Sequence, residues 1–455
     1  MVMRIQPSAT FSGTAVVPGD KSVTHRCLLF SAIAEGTSEI HGGGTGEDNR
    51  STLSAIRSLG VEASEEGGVI RVVGRGLRGL VAPQEPIDCG NSGTTARLMV
   101  GMLAGAGIPS TLIGDESLSG RPMARVADPL KELGYEVETT GARRTMPLHV
   151  RATADTERDA RPVRAVLKLA SAQVKSCIML SGLYRSAVTQ IIEPAASRDH
   201  TERLLRAMGA RVESSAHYLD PVGMASADEL PHTTLHPGST LRGGRFEVPG
   251  DISSAAFLLV AGLLVGQGVE VRNVGINPTR TGILDVFRRM GANVTLANRR
   301  VLSTGEPVAD ISVAPGVLSG TVIGGAEIPL LIDEIPVLAV LGAAGRGEFV
   351  VRDAEELRVK ESDRVATTAA ILRAMGVQVE ERPDGLAFEG LGGAGWDGFE
   401  VDAFLDHRIG MAAAVAALGA RSECRLTGAS AIAVSYPDFA ETMRRFGAAI
   451  DEDEA

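Results

Sequence analysis

Three residues with the chemistry to hold an anion, Lys21, Ser22 and Arg26, follow a Val-Pro-Gly-Asp turn in VPGDKSVTHR. Asp20 or Ser22 can cap the helix that the turn opens, and the free amide N–H groups of its first turn attract negative charge. Lys21 at the mouth and Arg26 just over one turn later can both reach a phosphate or carboxylate held there. A second stretch, VPGDISSAAFLLV at 248–260, repeats the turn and the apolar run without the two cations. IDCGNSGTTARLM opens another helix with Gly90, Asn91, Ser92, Gly93, Thr94 and Thr95, followed by Arg97. Its glycines let a ligand approach the backbone and its hydroxyls supply donors. It lacks the Lys-Ser/Thr ending of an ATP-binding loop, so a nucleotide is not indicated. Further on come Arg121 in SGRPM, Ser171, Gln173 and Lys175 in ASAQVKS, and Arg198 in SRDHTE. IDEIP adds Asp333 and Glu334, RVKESDR adds Lys360, Glu361 and Arg364, and LDHRIG adds Asp406, His407 and Arg408. Each segment lies at or near a predicted helix start. The plainer alternatives are capping residues in solvent and, for KESDR, a local ion-pair network.

The elements that must position these residues come in six copies. SAIRSLGVEA, PLKELGYEVE, RLLRAMGARVE, DVFRRMGANVT, ILRAMGVQVE and TMRRFGAAID are amphipathic segments ending in a large apolar residue and a glycine. The glycines Gly60, Gly134, Gly209, Gly291, Gly376 and Gly447 recur roughly every 70 to 85 residues, a spacing that marks internal repetition. Each falls where a helix C-terminus needs a left-handed residue. Upstream in each unit lies a second apolar run predicted to be helical: about 22–34, 94–105, 171–183, 253–265, 334–344 and 407–418. The chain therefore reads as six α/β units. The twin VPGD turns divide it into an outer lobe, 1–19 plus 248–455, and an inserted lobe, 20–247, with three units in each. Equivalent helix starts aimed at one place would make a single anion pocket between the lobes.

Bulk composition narrows the partners. The 455 residues carry 56 acidic and 45 basic side chains, a formal net charge of −11, and only 4% aromatics with Trp396 as the single tryptophan. Nucleic acid is disfavoured, because phosphate backbones want a basic surface and single strands want stacking platforms. The start MVMRIQPSATFSG has no signal pattern, and the longest apolar stretch, about 255–265, is too short to span a bilayer. The four cysteines show no CxxC pairing and read as buried free thiols in a reducing cytoplasm. His232 and His236 have a metal-ligand spacing, but Pro231 and Pro237 flank a loop-like stretch, and no metal site is expected there. The expectation is a cytoplasmic protein acting on small anionic molecules, with no nucleic-acid or membrane partner.

Taken together, PGDKSVTHR, GNSGTTARL, RPM, SAQVKS, NPTRTG, RVKESDR and DHRIGMA resemble the enolpyruvyl transferases, and among them the EPSP synthases, in the family's own order and over nearly the whole chain. SAQVKS with SRDHTE is similar to the bacterial class II branch. The resemblance implies an α/β fold of the inside-out barrel type: two lobes, each with threefold pseudosymmetry from three βαβαββ units. It implies a reaction between phosphoenolpyruvate and shikimate 3-phosphate with no metal or organic cofactor, and a monomer suits a site built from one chain's own lobes. Carried over residue by residue, Lys21 would touch both substrates. Ser22, Arg26, Ser171, Ala172, Gln173 and Arg198 would hold shikimate 3-phosphate, and Asp333 and Lys360 would address its hydroxyls. Gly93, Arg121, Gln173, Arg364 and Arg408 would surround phosphoenolpyruvate. Asp333 would be the base, with Lys21 and Glu361 handling the proton at the vinyl carbon.

Three positions depart from the family pattern. Val434 and Ser435 stand where a lysine often precedes the aromatic-Pro pair, Ala172 replaces a frequent serine, and Leu98 replaces a frequent proline. Lys175 and Arg198 are the candidates to make up the lost contacts. Gly93 points to sensitivity to the herbicide glyphosate, because tolerant members carry alanine there. The rival readings are weaker. A sister transferase acting on UDP-N-acetylglucosamine would need a loop cysteine, and Cys89 reads as core. An RNA 3′-phosphate cyclase would need a reactive histidine, for which His407 is the candidate, and a basic surface. A non-catalytic paralogue would be expected to lose Asp333 or Glu361.

Overall fold

The structure, a computed structural model, describes residues 1–8, 10–152, 155–219 and 230–453. Among the described residues, six four-stranded sheets are built to one plan: a parallel pair at one edge, followed by two antiparallel neighbours. The chain divides into two compact units, Met1–Pro18 with Gly250–Arg300 and Pro307–Ala455, and Gly19–Pro249 with Val301–Glu306. The breaks fall inside the two VPGD turns.

One boundary of the sequence reading needs correction. Residues 301–306, counted above with the outer lobe, group with Gly19–Pro249. The cause is polar: the Glu247 N–H donates to Ser303 Oγ at 2.8 Å and Thr304 Oγ1 donates to the Glu247 carbonyl at 2.9 Å. Arg203 Nη1 donates to the Gly305 carbonyl at 3.2 Å, and the Glu306 carboxylate meets His200 Nδ1 at 2.8 Å.

Within each unit the chain follows the expected repeat. In the Gly19–Pro249 unit the helices Lys21–Ala32, Gly93–Ala106 and Ala172–Gly182 are largely buried. In the other unit Ile252–Val265, Ile335–Ala344 and His407–Leu418 take that role. The charged side chains of these helices, Lys21, Arg26, Arg97, Lys175 and Arg408, all fall in their N-terminal halves. Each unit has its own continuous apolar core. The second helix of every repeat stops at the glycine picked out in the sequence; most of these helices are amphipathic, whereas Arg364–Ala374 is buried over most of its surface. Gly60, Gly134, Gly209, Gly291, Gly376 and Gly447 have φ between 81° and 103°. The residue after each donates its N–H five residues back into the helix, as Val61 does to the Ile56 carbonyl and Ala210 to Leu205. This is the Schellman closure, which spends the orphan carbonyls of a helix end and requires a residue at ease with positive φ.

Buried helices approach one another through glycine. A methyl group at Gly101 would lie 2.1 Å from the Cys177 carbonyl oxygen, backbone against backbone. Gly101→Ala must therefore force the helices Gly93–Ala106 and Ala172–Gly182 apart. It is expected to cost about 3 kcal/mol, read as a lowered urea midpoint, because overpacking a rigid contact leaves no flexible side chain to yield.

Candidate active site

In the Gly19–Pro249 unit, Asp20 caps the first helix by accepting from the Val23 N–H at 2.9 Å. Lys21 and Ser22 are its first two residues, and Lys21 Nζ stands 2.8 Å from Asp48 Oδ2. Asp48 was not singled out in the sequence, where it reads as an ordinary acidic residue in a helix's first turn. Arg26 is buried. Its Nε donates to Thr201 Oγ1 at 2.7 Å, Nη2 to Ser176 Oγ at 2.8 Å and Nη1 to the Ser22 carbonyl at 2.9 Å. Burial lowers its pKa to about 10 despite the pull of Glu202 and Asp20. Arg26 thus knits three helices together instead of standing at an open helix mouth. His25 donates to or accepts from Thr52 Oγ1 at 2.6 Å, and burial, with Lys21 and Arg26 adding to it, holds its pKa well below the usual imidazole value.

The second helix start gathers more of the expected residues. Ser92 is the cap, accepting from the Thr95 N–H at 3.1 Å, and Gly93 is the first helical residue. Gln173 spans the gap to this helix, accepting from Arg97 Nη1 at 2.7 Å and donating to Thr94 Oγ1 at 3.1 Å. Arg121 Nη2 donates to Asn91 Oδ1 at 2.6 Å and to Ser117 Oγ at 3.1 Å. A methyl group at Gly93 would stand 3.0 Å from Arg97 Nη1 and 3.5 Å from Arg121 Nη1. Gly93 therefore leaves room for the Arg97 guanidinium close over the helix N-terminus, while Arg121 stands at an ordinary contact distance. Ser171 caps the third helix through the Val174 N–H, with Ala172 and Gln173 as its first residues. Arg198 lies in the loop before His200–Ala207, near enough for its charge to depress the pKa of Arg26.

Lys175 does not fill the place offered to it. Its ammonium is wholly buried between Glu193 at 2.7 Å and Glu202 at 2.9 Å, so it cannot replace a lost substrate contact. Leu98 is wholly buried and faces the core. Cys89 is buried too, and burial raises its thiol pKa to about 12, the opposite of an activated nucleophile. His407, 2% exposed, begins the helix His407–Leu418.

In the other unit the expected residues converge on Arg364, the first residue of Arg364–Ala374. Its Nε and Nη2 donate to the two carboxylate oxygens of Asp406 at 2.8 and 3.2 Å. Nη1 donates to Asp333 Oδ1 at 3.0 Å and Nη2 to Glu361 Oε2 at 2.6 Å. Burial alone would lower its pKa, but Asp406, Glu361 and Asp333 outweigh it and the value rises above that of free arginine. Arg408 brings Nη2 to 3.7 Å from Asp333 Oδ2, so Asp333 sits between two guanidinium groups. Lys360 has its pKa lowered by burial, with Asp333 and Glu356 pulling the other way. KESDR is thus partly the local network of the plainer alternative, yet its arginine reaches beyond the segment to Asp333 and Asp406. Among the described residues no group of three or more His, Cys, Asp or Glu is placed to hold a metal ion. None of their helices is long and apolar enough to cross a membrane.

The family model for EPSP synthase (3-phosphoshikimate 1-carboxyvinyltransferase) matches residues 5–443. This chain belongs to the EPSP synthase family. A relative named 3-phosphoshikimate 1-carboxyvinyltransferase in Synechococcus elongatus is 46% identical over 97% of this chain and 96% of its own. Another of that name in Syntrophotalea carbinolica is 45% identical over 96% and 97%. The solved EPSP synthase of Acinetobacter baumannii superposes with a TM-score of 0.84 at 37% identity, covering 100% of both chains. At 18% identity the enolpyruvyl transferase NikO of Streptomyces tendae shares the fold, with a TM-score of 0.77 over 100% of this chain and 99% of its own. The two-lobe inside-out α/β barrel expected from the resemblance is the fold of this chain.

The partners of Arg364 differ in exposure: the Asp406 side chain is 0% exposed, Asp333 12% and Glu361 19%. Asp406 is the permanent counter-ion, and it also caps its own helix through the Arg408 N–H at 2.9 Å. Asp406→Asn keeps a cap but removes the buried charge. A loss of about 3 kcal/mol is expected in chemical denaturation, because Arg364 is left under-compensated out of water.

Proposed function

We propose that this chain transfers the enolpyruvyl group of phosphoenolpyruvate to the 5-hydroxyl of shikimate 3-phosphate, releasing phosphate. The observation that carries the reading is Asp333 held between Arg364 and Arg408, with Lys360 and Glu361 in the adjoining loop. Such a set can take a proton from a hydroxyl while pairing the anion that the hydroxyl attacks. Asp333 accepts the hydroxyl proton as its oxygen bonds to the central carbon of phosphoenolpyruvate. The methylene carbon gains a proton in the same addition, with Lys21 and Glu361 as the donors at that end. In the elimination the methyl group returns a proton and phosphate leaves with the electrons of its C–O bond, restoring the double bond. Arg121, Arg364 and Arg408 offset the charge of an intermediate bearing two phosphates and a carboxylate.

Shikimate 3-phosphate is assigned to Lys21, Ser22, Ser171, Ala172, Gln173, Arg198, Asp333 and Lys360, with Arg26 shaping the helix start beneath it. Phosphoenolpyruvate is assigned to Lys21, Gly93, Arg121, Gln173, Arg364 and Arg408. To take up its carboxylate, Arg364 exchanges Glu361 or Asp333, the two more exposed of its partners. The reading carries with it a cytoplasmic, monomeric enzyme that needs no metal or organic cofactor.

The deciding measurement is phosphate release from phosphoenolpyruvate with shikimate 3-phosphate, run beside UDP-N-acetylglucosamine as the alternative acceptor. Release with shikimate 3-phosphate alone is expected, lost in Lys21→Ala and reduced about 10²- to 10⁴-fold in kcat in Asp333→Asn. Release only with the sugar nucleotide would overturn the assignment.

A second expectation concerns Gly93. Unaltered protein should be inhibited by glyphosate competitively with phosphoenolpyruvate. Gly93→Ala makes Arg97 give by a few tenths of an ångström and brings a methyl group into contact with Arg121, and should raise both the glyphosate inhibition constant and the KM for phosphoenolpyruvate. An inhibition constant unmoved by the substitution would remove Gly93 from the herbicide's reach.

A further inference from the structure

Lys175 is a fully buried cation in the helix that carries Ser171, Ala172 and Gln173 at its start. Its Nζ lies 2.7 Å from Glu193, 2.9 Å from Glu202 and 4.2 Å from the centre of the Tyr218 ring, and donates to the Ser197 carbonyl at 3.4 Å. These partners are not scattered. Glu193 opens the loop that follows the strand Thr189–Ile192, Ser197 directly precedes Arg198, and Glu202 lies in His200–Ala207, the helix that ends the loop. One ammonium therefore grips the loop at its start, its middle and its exit. The partners are themselves fixed: Ser197 Oγ and the Tyr218 hydroxyl both donate to Glu193, and Thr233 Oγ1 donates to Glu202 at 3.1 Å. The neighbouring Ser176 ties the same helix to Thr201 at 2.6 Å and to Arg26 at 2.8 Å. Burial would lower the lysine's pKa, but Glu193, Glu202 and Tyr218 more than offset it and the group stays charged.

A purely structural core has no need of so costly an arrangement, since well-packed apolar residues fill such space as stably or better. What the charge adds is direction, because it fixes where a loop bearing an arginine sits relative to a helix start bearing Ser171 and Gln173. We infer that Lys175 is a positioning residue for the acceptor's phosphate: through Glu193, the Ser197 carbonyl and Glu202 it sets Arg198 against the start of Ala172–Gly182. The inference rests on the functional reading above and adds to it a specificity determinant that touches no substrate.

The test is a kinetic cycle of Lys175→Met, Arg198→Ala and the double variant, with shikimate 3-phosphate and with unphosphorylated shikimate as acceptors. Lys175→Met is expected to raise the KM for shikimate 3-phosphate at least tenfold while kcat falls less than threefold, and to leave kcat/KM for shikimate within twofold. Arg198→Ala should then cost much less in the Lys175→Met background than in the unaltered protein. A lowered melting temperature with KM unchanged, or full additivity of the two substitutions, would overturn the positioning role. If Lys175→Met does not accumulate as folded protein, Glu193→Gln, which keeps volume and removes one partner charge, is read by the same criteria. Absence of turnover in the unaltered chain would instead overturn the functional reading and the substrate named here with it. Turnover that is insensitive in KM overturns the positioning role alone.

Discussion

A guanidinium or ammonium taken out of water has to be met by carboxylates and hydrogen bonds, and this requirement organises both halves of the molecule. Arg364 is its clearest case. A side chain 1% exposed is met on three sides by Asp406, Asp333 and Glu361, which come from three separate segments. Because the guanidinium is planar and its donors are fixed in direction, the carboxylates cannot wander while they pair with it. Asp333 and Glu361 are thereby oriented as a by-product of neutralising a charge. Positioning and stability are one interaction here, and a site built this way needs no loop of its own to hold its shape.

The same rule explains why polar chemistry collects where it does. The six largely buried helices carry their charged side chains, Lys21, Arg26, Arg97, Lys175 and Arg408, only in their N-terminal halves, toward the end where N–H groups lack partners. Asp20, Ser92, Ser171, Asp251 and Asp406 each spend an oxygen on capping such a start. The residues just inside the cap remain to do something else: Lys21 and Ser22, Gly93 and Thr94, Ala172 and Gln173, His407 and Arg408. Capping and ligand-holding are alternatives for one side chain but complements for neighbours.

What could be read from the sequence, and what could not, divides along sequence separation. The six repeats were legible because a C-terminal glycine with positive φ and an apolar run are local demands, satisfied within a few residues. The capping segments were legible for the same reason. The side chains that complete the site were not, because their partners lie far along the chain. Arg364 meets Asp406 across 42 positions, Arg97 meets Gln173 across 76, and Arg26 meets Ser176 across 150. Lys175 was misjudged on that account, since nothing in SAQVKS announces Glu193 and Glu202 as its neighbours. The grouping of residues 301–306 with the inserted unit was hidden likewise, as His200 and Glu306 are 106 positions apart.

The twin turns bring these strands of argument together. In the first copy Lys21 follows the capping Asp20, and its side chain stays 17% exposed beside Asp48. In the second, Ile252 stands where the lysine would be, and the sequence alone reads as though the charge had gone. It has been supplied from elsewhere. Arg280, from NPTRTG, donates to Ser253 Oγ at 2.7 Å and lies 3.4 Å from Asp251 and 3.6 Å from Glu334, with Ser253 in turn bonded to Glu334. All four are buried, so this copy closes on itself and its cation is unavailable to a ligand. Two copies of one turn have thus met the same electrostatic demand in opposite ways. One buries its cation among fixed partners and becomes scaffold beneath Asp333, the residue next to Glu334. The other leaves its cation part-exposed at a helix mouth, paired with Asp48.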